Sequence, residues 1–398
     1  MKYLLLLLFC FIYSLTNAAE NITKTQIVMV GPSFVSNRDA SPYFKLLLED
    51  RQFQFEFGQR LKAEITMANS RQNNYDFNSI NNNFIQQDDT YIVSFGMVRE
   101  NVEEATIDDE LEISYESQVL VLVANLSKSD ERRRIVASYP ISLQYRTIVP
   151  VGLPKPNPLS VYRSLYLDPK NNMKNIVTEW GSRLDKIKLL EKEVYVTVSP
   201  LDFIENAQNS AVIDSIASNY ISARATSLFE AAISKNLNIP LIPGNAGASA
   251  LNRVVLDLVN LNARENFVLP EPDYWLQVSV RDMRVVKASE QTAGGNTRVG
   301  ESYGVSYVFS IYEKKESSKN LIKKFIFRDI ESVYHYGERV IKPSQPLSRM
   351  IAKFCDQMGS NIGVVDSDLI AKYKSQQEPL VVSEIAKIIA DFSRKLKR

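Results

Sequence analysis

Histidine and cysteine, which often serve in catalysis and in metal binding, are scarce in this chain. Its 398 residues include one histidine, His335, and two cysteines, Cys10 and Cys355. A structural zinc ion takes about four cysteine or histidine ligands, so this scarcity excludes a structural zinc site. An excess of one charge is also lacking, because 47 basic residues face 46 acidic ones and the net charge is +1. The sequence therefore has no overall field that would attract nucleic acid.

Long hydrophobic runs are absent after the first residues. A start with one lysine leads into an apolar run at 3–13, and small and polar residues follow. This order is typical of a secretory signal peptide, and the run is too short for a bilayer, which takes about 20 residues. We expect residues 1–19 to be a signal peptide that is cleaved after Ala18 or Ala19, with a retained N-terminal anchor as the alternative. Later apolar runs last only a strand's length, so no integral membrane span is predicted.

The shortage of cysteine limits how the exported chain can hold its fold. Cys10 lies within the predicted signal peptide, so Cys355 alone remains and no internal disulfide can form. The length allows two domains of ordinary size, each stabilised by burial of apolar surface. A brief leader without disulfides favours the periplasm of a bacterial cell as the location.

The few reactive residues stand in contexts that favour structural roles. His335 lies between two tyrosines on a predicted strand, where we expect it to be half exposed. Cys355 follows Phe354 on the apolar face of a predicted helix, which indicates a buried and inert thiol. Neither residue has a catalytic motif beside it. The sequence therefore predicts no catalytic, cofactor-binding or metal-binding residue, and no cofactor.

Three short segments are weak signals for a bound ion or a tight turn. Acidic residues at 103–104 and 108–110 crowd a predicted loop, but they lack the alternating order of a calcium-binding loop. A solvated hairpin loop is the expectation. Residues 244–247, Gly-Asn-Ala-Gly, precede a predicted helix and could receive an anion through free amides, although an ordinary helix start is favoured. Residues 294–296 are expected to form a flexible hairpin tip.

The sequence does contain a repeated pattern of strands. Residues 115–145 and 303–336 each hold two strand-like runs joined by a charged turn. Each pair is preceded by a further strand-like run and followed, after a connection with proline, by an amphipathic helix. Repetition of a whole supersecondary unit indicates two related domains.

Periodicity and chain breakers divide the sequence into α+β units, with helices on one face of a mixed sheet. The first domain, 20–190, is predicted to contain a strand at 25–30, one or two helices at 41–65, a loop at 69–87, strands at 88–99, 115–125 and 134–147, a proline-rich connector at 149–158 and a helix at 173–190. The second domain, 191–363, is predicted to contain a strand at 193–199, helices at 206–237 and 248–261, strands at 274–286, 302–313 and 322–336, and a helix at 347–362. A C-terminal helical tail, 364–398, is predicted to include a helix at 381–396.

The order of these elements is similar to that of a known family. The residues that carry the likeness are the first strands at 27–30 and 194–198, the helices at 57–65 and 251–259, and the hairpins that begin at Tyr115 and Tyr303. In this order the chain resembles the TolB N-terminal, CsgG-like and FlgT-type family of bacterial envelope domains. The resemblance implies a non-catalytic part of a flagellar ring, a secretion pore or another envelope assembly.

The missing chemistry and the repeated sheets together favour protein contact over catalysis. Runs such as 307–312 place aromatic side chains on both faces of a strand, so the face without helices packs against the other domain or against a partner. We predict an exported periplasmic scaffold of a flagellar ring, pilus or secretion system. It would contact other envelope proteins through sheet edges and faces, with self-association into a ring as one form of that contact. A periplasmic small-molecule or carbohydrate-binding protein with a pocket between the domains is the alternative, and an enzyme that uses only carboxylates is a third class.

Overall fold

A computed structural model of the protein shows an α+β fold. It describes residues 25–35, 37–71, 75–79, 90–107, 110–126, 133–167, 175–187, 194–204, 215–243, 253–293, 296–315, 318–336 and 343–361. The predicted signal peptide at 1–19, with Ala18 and Ala19, lies outside these ranges. So does the predicted tail at 364–398 with its helix.

The described ranges hold twelve strands and six α-helices. The strands are β1 Thr25–Val35, β2 Tyr75–Ser79, β3 Thr90–Ile107, β4 Glu110–Leu126, β5 Arg134–Pro150, β6 Val196–Val198, β7 Asp202–Phe203, β8 Arg253–Leu258, β9 Ala263–Val268, β10 Tyr274–Ala293, β11 Asn296–Lys315 and β12 Ser318–Tyr336. The helices are α1 Pro42–Leu47, α2 Arg51–Arg71, α3 Pro158–Leu167, α4 Ile176–Leu184, α5 Ser215–Leu237 and α6 Ser344–Asn361. Among these described helices, none has both the length and the apolar character needed to cross a membrane.

The first sheet has the order β2-β1-β3-β4-β5-β9-β8, and β8 also pairs with β1, so six of its strands close into a ring. β1 runs parallel to β2 and β3, and β3, β4 and β5 form the predicted antiparallel meander. The run 119–124 in β4 is buried on both faces of this sheet. Burial on both faces explains why this run is continuously apolar instead of alternating.

Helices α1 to α4 cover one face of the first sheet. Phe44 of α1 packs its ring against Phe57 of α2 and Phe95 of β3, with ring centroids 5.5 and 5.9 Å away. Trp180 of α4 is fully buried, and its Nε1 donates a hydrogen bond to the carbonyl oxygen of Ser94 at 3.3 Å. Large aromatic rings therefore supply much of the first core, where each buries a large apolar area.

The helix predicted at 248–261 is wrong. Residues 253–268 form the hairpin β8–β9, with a 3₁₀ turn at Val259–Leu261 between the strands. Val254, Leu256 and Leu258 alternate with less buried residues, which is the period of a strand. Their side chains fill the ring of strands together with Val30, Ile92, Leu120 and Leu122. The hairpin thus comes from the predicted second domain but completes the first sheet. The family resemblance, which takes 251–259 as a helix, stays a prediction.

The second sheet has the order β12-β11-β10-β6, and β7 also pairs with β10. Its three long strands form the second predicted meander, and β6 runs parallel to β10 as β1 runs parallel to β3. Helices α5 and α6 cover one face, where the ring of Phe354 stacks on that of Tyr307 at 3.9 Å. α6 matches the helix predicted at 347–362. α5 matches residues 215–237 of the helix predicted at 206–237, and residues 206–214 lie outside the described ranges. A common origin of the two units stays a prediction.

The loop predicted at 69–87 is partly wrong, because it contains β2 and the end of α2. Tyr75 and Phe77 of β2 point into the first core, and β2 pairs in parallel with β1. The side chain of Asn69 holds this strand, since its amide accepts from the Phe77 N–H at 2.7 Å and donates to the Phe77 carbonyl at 2.8 Å. A strand of five residues with asparagine and aspartate has no strong local signal. Its pairing with a distant strand decides its conformation.

Helix α3 begins at Pro158, where the sequence predicted only the end of a connector. Proline is well tolerated at the first helical position because its missing N–H has no partner there. The Asn157 side chain accepts from the N–H of Leu159 at 2.9 Å and caps the helix. α4 is shorter than the helix predicted at 173–190, and the Asn175 side chain caps it by accepting from the N–H of Thr178 at 2.7 Å.

Candidate interaction surface

The two reactive residues that the sequence singles out lie in the second unit. His335 is on β12, where it pairs with Val299 of β11. Cys355 is buried on α6, as predicted, and burial raises the pKa of its thiol. A thiol with a raised pKa is a poor nucleophile at neutral pH because the thiolate is the reactive form.

The acidic residues predicted in a loop occupy other positions. Glu103 and Glu104 lie on β3 and Glu110 begins β4, while 108–109 are outside the described residues. The Glu104 carboxylate accepts from Lys155 Nζ at 2.7 and 2.8 Å, and Glu103 accepts from Arg224. In the part of the chain that the structure describes, no group of three or more acidic, histidine or cysteine side chains is placed to hold a metal ion. Residues 244–247 and the glycines at 294–295 lie outside it.

A buried ion-pair cluster joins the two units, and we call it the Arg224 cluster. Arg224 of α5 reaches the first sheet, where its Nη1 contacts the carboxylate of Glu103 and its Nη2 that of Glu116. Arg224 is 4% exposed and Glu116 is 2% exposed. Tyr220, one turn earlier on α5, contacts the Asn101 side chain, and its ring lies under the guanidinium of Arg99. These contacts tie α5 to β3 and β4.

Burial and charge act against each other in the Arg224 cluster. Burial disfavours a charged guanidinium, but Glu116 and Glu103 outweigh it and raise the pKa of Arg224. Burial raises the pKa of Glu103, although Arg224 acts in the opposite direction. Burial lowers the pKa of Arg99, although the charge of Glu116 acts in the opposite direction. Arg224 and its two carboxylates form a buried ion pair between the layers, and removing one partner of such a pair is costly.

Glu100 is a second buried carboxylate, and it fixes α1 to β3. One of its oxygens accepts from the N–H groups of Tyr43 and Phe44 at 2.8 and 3.0 Å, and the other accepts from the Tyr166 hydroxyl at 2.6 Å. Burial raises the pKa of Glu100 from 4.5 to about 7, even though these three hydrogen bonds favour the charged form. Desolvation is therefore the larger influence on this group.

The raised pKa of Glu100 predicts a measurable loss of stability with rising pH. Between pH 4.5 and about 7 the folded protein keeps a proton that the unfolded chain has lost, so stability falls as pH rises and then levels off. Glu100→Gln removes this titration and keeps an acceptor for the two amides. We expect the free energy of unfolding of the variant, relative to wild type, to improve by about 2–3 kcal/mol between about pH 5 and about pH 8. Urea unfolding at both pH values measures this, and a constant difference contradicts it.

The second sheet has a free edge at β12, which pairs only with β11 within the described residues. Cross-strand pairs place Val286 beside Ser302 and Gly304 beside Ile330 on the face away from α5 and α6. Ile330 is 75% exposed and Tyr334 is 48% exposed. We call these residues the open surface: Val286, Ser302, Gly304, Ile330 and Tyr334. The side chains at its centre are small, because β11 contributes Ser302 and Gly304.

The two halves of the β12 edge differ in charge. The part from 319 to 328 carries the exposed side chains of Lys319, Lys324 and Arg328. Lysine on an edge strand is a common protection against unwanted pairing. From Ile330 to Tyr334 the strand has no basic residue and exposes an isoleucine and a tyrosine. This unprotected half is the part that an added strand could reach.

Sequence patterns found part of this surface. Tyr307 and Phe309 are buried under the helices while Tyr312 faces the other side with Lys319 above its ring, as the two-faced pattern at 307–312 predicted. The exposed Ile330 and Tyr334 were missed, although they alternate with charged and polar residues in a strand of correct type. The Arg224 cluster has no sequence signal, because its partners lie in separate units.

Comparisons with known proteins give no family. No family model matches the chain, and no curated protein matches it. A solved structure described as a neuraminyllactose-binding hemagglutinin homolog from Helicobacter pylori is similar over 50% of this chain and 91% of its own, with 8% identity and a TM-score of 0.27. The hypothetical protein CT253 from Chlamydia trachomatis is similar over 52% and 94%, with 8% identity and a TM-score of 0.21. At these scores neither likeness carries a conclusion about fold or function.

Proposed function

We propose that this chain is a non-catalytic scaffold protein of a bacterial envelope, exported to the periplasm, that works by binding another envelope protein. The observation that carries the proposal is the open surface, where Ile330 and Tyr334 stand exposed on an edge without protecting lysines. A free strand edge binds an extended segment through main-chain hydrogen bonds, and this needs no catalytic side chain. The assembly to which it would belong is a flagellar ring, a pilus or a secretion system.

The occupant of this edge is an extended segment of a partner protein. It pairs with β12 from Ile330 to Tyr334, and apolar side chains at alternate positions cover those two residues. Because Arg328 adjoins this segment on the same face, an acidic side chain at the matching end of the partner strand is favoured. Pairing with a second copy of this chain is the ring form of the same contact.

Cross-linking in cells tests the proposal. A photoreactive phenylalanine derivative replaces Tyr334, and Ile148 on β5 is the control position because it is 60% exposed on the first sheet. We expect one discrete adduct from position 334 and none from 148. Adding Ile330→Lys is expected to reduce the adduct about tenfold, since a charge replaces an apolar contact.

The mass of the adduct separates the outcomes. A heavier adduct with a second protein supports the scaffold, and an adduct of twice the chain's mass supports self-association. Equal cross-linking at 334 and 148, or an adduct that Ile330→Lys leaves unchanged, contradicts the proposal. The alternative of small-molecule binding rests on a different part of the molecule, which lies against α2.

A further inference from the structure

A groove of about 780 Å³ lies between α2, β1 and the turn that follows β8, and we call it the α2 groove. Known ligand pockets have about 300–1,000 Å³. Val259 and Asn260 of the turn belong to the predicted second domain, while the other walls belong to the first. The groove therefore lies between residues of the two predicted domains, and it shares none with the open surface.

One stripe of α2 forms the longest wall. Arg51, Phe55, Gly58 and Lys62 line the groove at spacings of four, three and four residues, which places them on one helix face. A Cβ added at Gly58 would meet no atom within 4 Å. Glycine weakens a helix interior relative to alanine. At Gly58 the absence of a side chain leaves open space in the middle of this wall.

A second glycine lets the turn close one end of the groove. Gly31 has a φ of +86°, and the pairing of β1 with β3 shifts register beside it. The side-chain amide of Asn260 lies where a Cβ at position 31 would stand. Only glycine accepts both the left-handed backbone and this approach. The amide of Asn260 is thereby a polar group at that end of the groove.

The charges of the lining residues select the ligand. Arg51 and Lys62 line the groove, and no carboxylate does so among the described residues. Eleven positions of helix separate the two cations by about 16 Å along the axis. Between them lie the exposed ring of Phe55 and the gap at Gly58. An elongated molecule can therefore place an acidic group at a cation and lay an apolar body along the helix.

From this geometry we propose that the α2 groove binds an elongated amphipathic organic anion. Arg51 or Lys62 takes the acidic group, and a guanidinium or ammonium is well suited to a carboxylate. Phe55 and the space beside Gly58 take the apolar body. Neutral and cationic amphiphiles of the same length lack the charge contact.

Titration calorimetry with dodecanoate, below its micelle concentration, tests this proposal on the purified chain. Dodecyltrimethylammonium and an uncharged dodecyl glycoside are the comparison probes. We expect dodecanoate to bind at least about tenfold more tightly than either, and to weaken as salt is raised. Gly58→Trp fills the gap and is expected to weaken binding about tenfold or more, as is the double variant Arg51→Gln with Lys62→Gln.

Matched variants keep the outcome clear. Gly58→Ala leaves most of the gap open and favours the helix, so it is expected to bind as wild type does. Ile330→Lys, on the open surface, is also expected to bind normally, which separates this site from the proposed function. Equal binding of the three probes would mean an unspecific apolar surface and overturn the proposal. No binding of dodecanoate by wild type, or unchanged binding by a folded Gly58→Trp variant, would overturn it as well.

Discussion

Replacing Arg224 with methionine is expected to lower the free energy of unfolding by about 3–5 kcal/mol. The change keeps an aliphatic side chain of similar length and removes the guanidinium that contacts Glu103 and Glu116. Glu116 is 2% exposed and keeps a hydrogen bond from Gln144 Nε2 at 2.9 Å, but its buried charge loses the guanidinium that pairs with it. A buried ion pair adds little net stability when it is complete, yet breaking it by removing one partner costs much. Denaturant unfolding measures the loss.

A second substitution shows whether the loss of stability comes from the unpaired carboxylate of Glu116 or from lost packing at position 224. In the Arg224→Met background, Glu116→Gln removes the uncompensated charge and is expected to recover at least about 2 kcal/mol. Arg284→Met is the surface control, since Arg284 is exposed on β10 and pairs with nearby Asp282. It is expected to change stability by about 0.5 kcal/mol or less. A double variant no more stable than Arg224→Met would show that the charges do not carry the effect.

The largest loss is expected for Leu256→Asp, which places a carboxylate inside the ring of strands. Leu256 is fully buried in the second core of the first sheet, where most of the clustered side chains are aliphatic. The substitution removes apolar burial and places a carboxylate in a largely apolar interior, where its desolvation is costly. We expect a loss above about 4 kcal/mol, which is at the extreme end for single substitutions. Thermal and denaturant unfolding measure it.

Val255→Asp is the matched control because the neighbouring side chain points the other way from β8. Val255 is only half buried, and we expect its replacement to cost about 1 kcal/mol or less. A large difference between adjacent positions is the mark of a strand with one buried face. Similar losses at 255 and 256 would contradict the strand and return this segment to the helix that the sequence predicted.

Local signals account for the parts of the fold that the sequence predicted. The run 119–124 is short, continuously apolar and rich in valine, which is typical of a strand buried on both faces, and β12 alternates over many residues. α6 has a clear apolar stripe that carries Leu347, Ile351 and Phe354, all of them buried. Each of these elements shows its period within its own residues.

Nonlocal contacts account for the rest. The run Val254 to Leu258 is so short that its apolar residues fit a helical period almost as well as a strand period, and pairing with β1 decides between them. β2 has few apolar residues and is held by β1 and Asn69. Arg224 lies in a helix rich in alanine and serine, 121 positions away from Glu103. No pattern within one segment reports a partner at that distance, so the ion pairs could not be foreseen.

The ring of strands can close only after β8 and β9 have been synthesised, which affects how the chain folds. Leu258 pairs with Ser33 across roughly 225 positions, and such distant pairing slows folding. Until the hairpin has been synthesised, Val30, Ile92 and Leu122 lack the packing that β8 and β9 supply in the finished fold. The N-terminal half therefore cannot complete its fold when it emerges. The apolar side chains that β8 and β9 later cover are exposed during this time and can cause aggregation. A chaperone that binds the chain before β8 and β9 are synthesised would cover these apolar side chains.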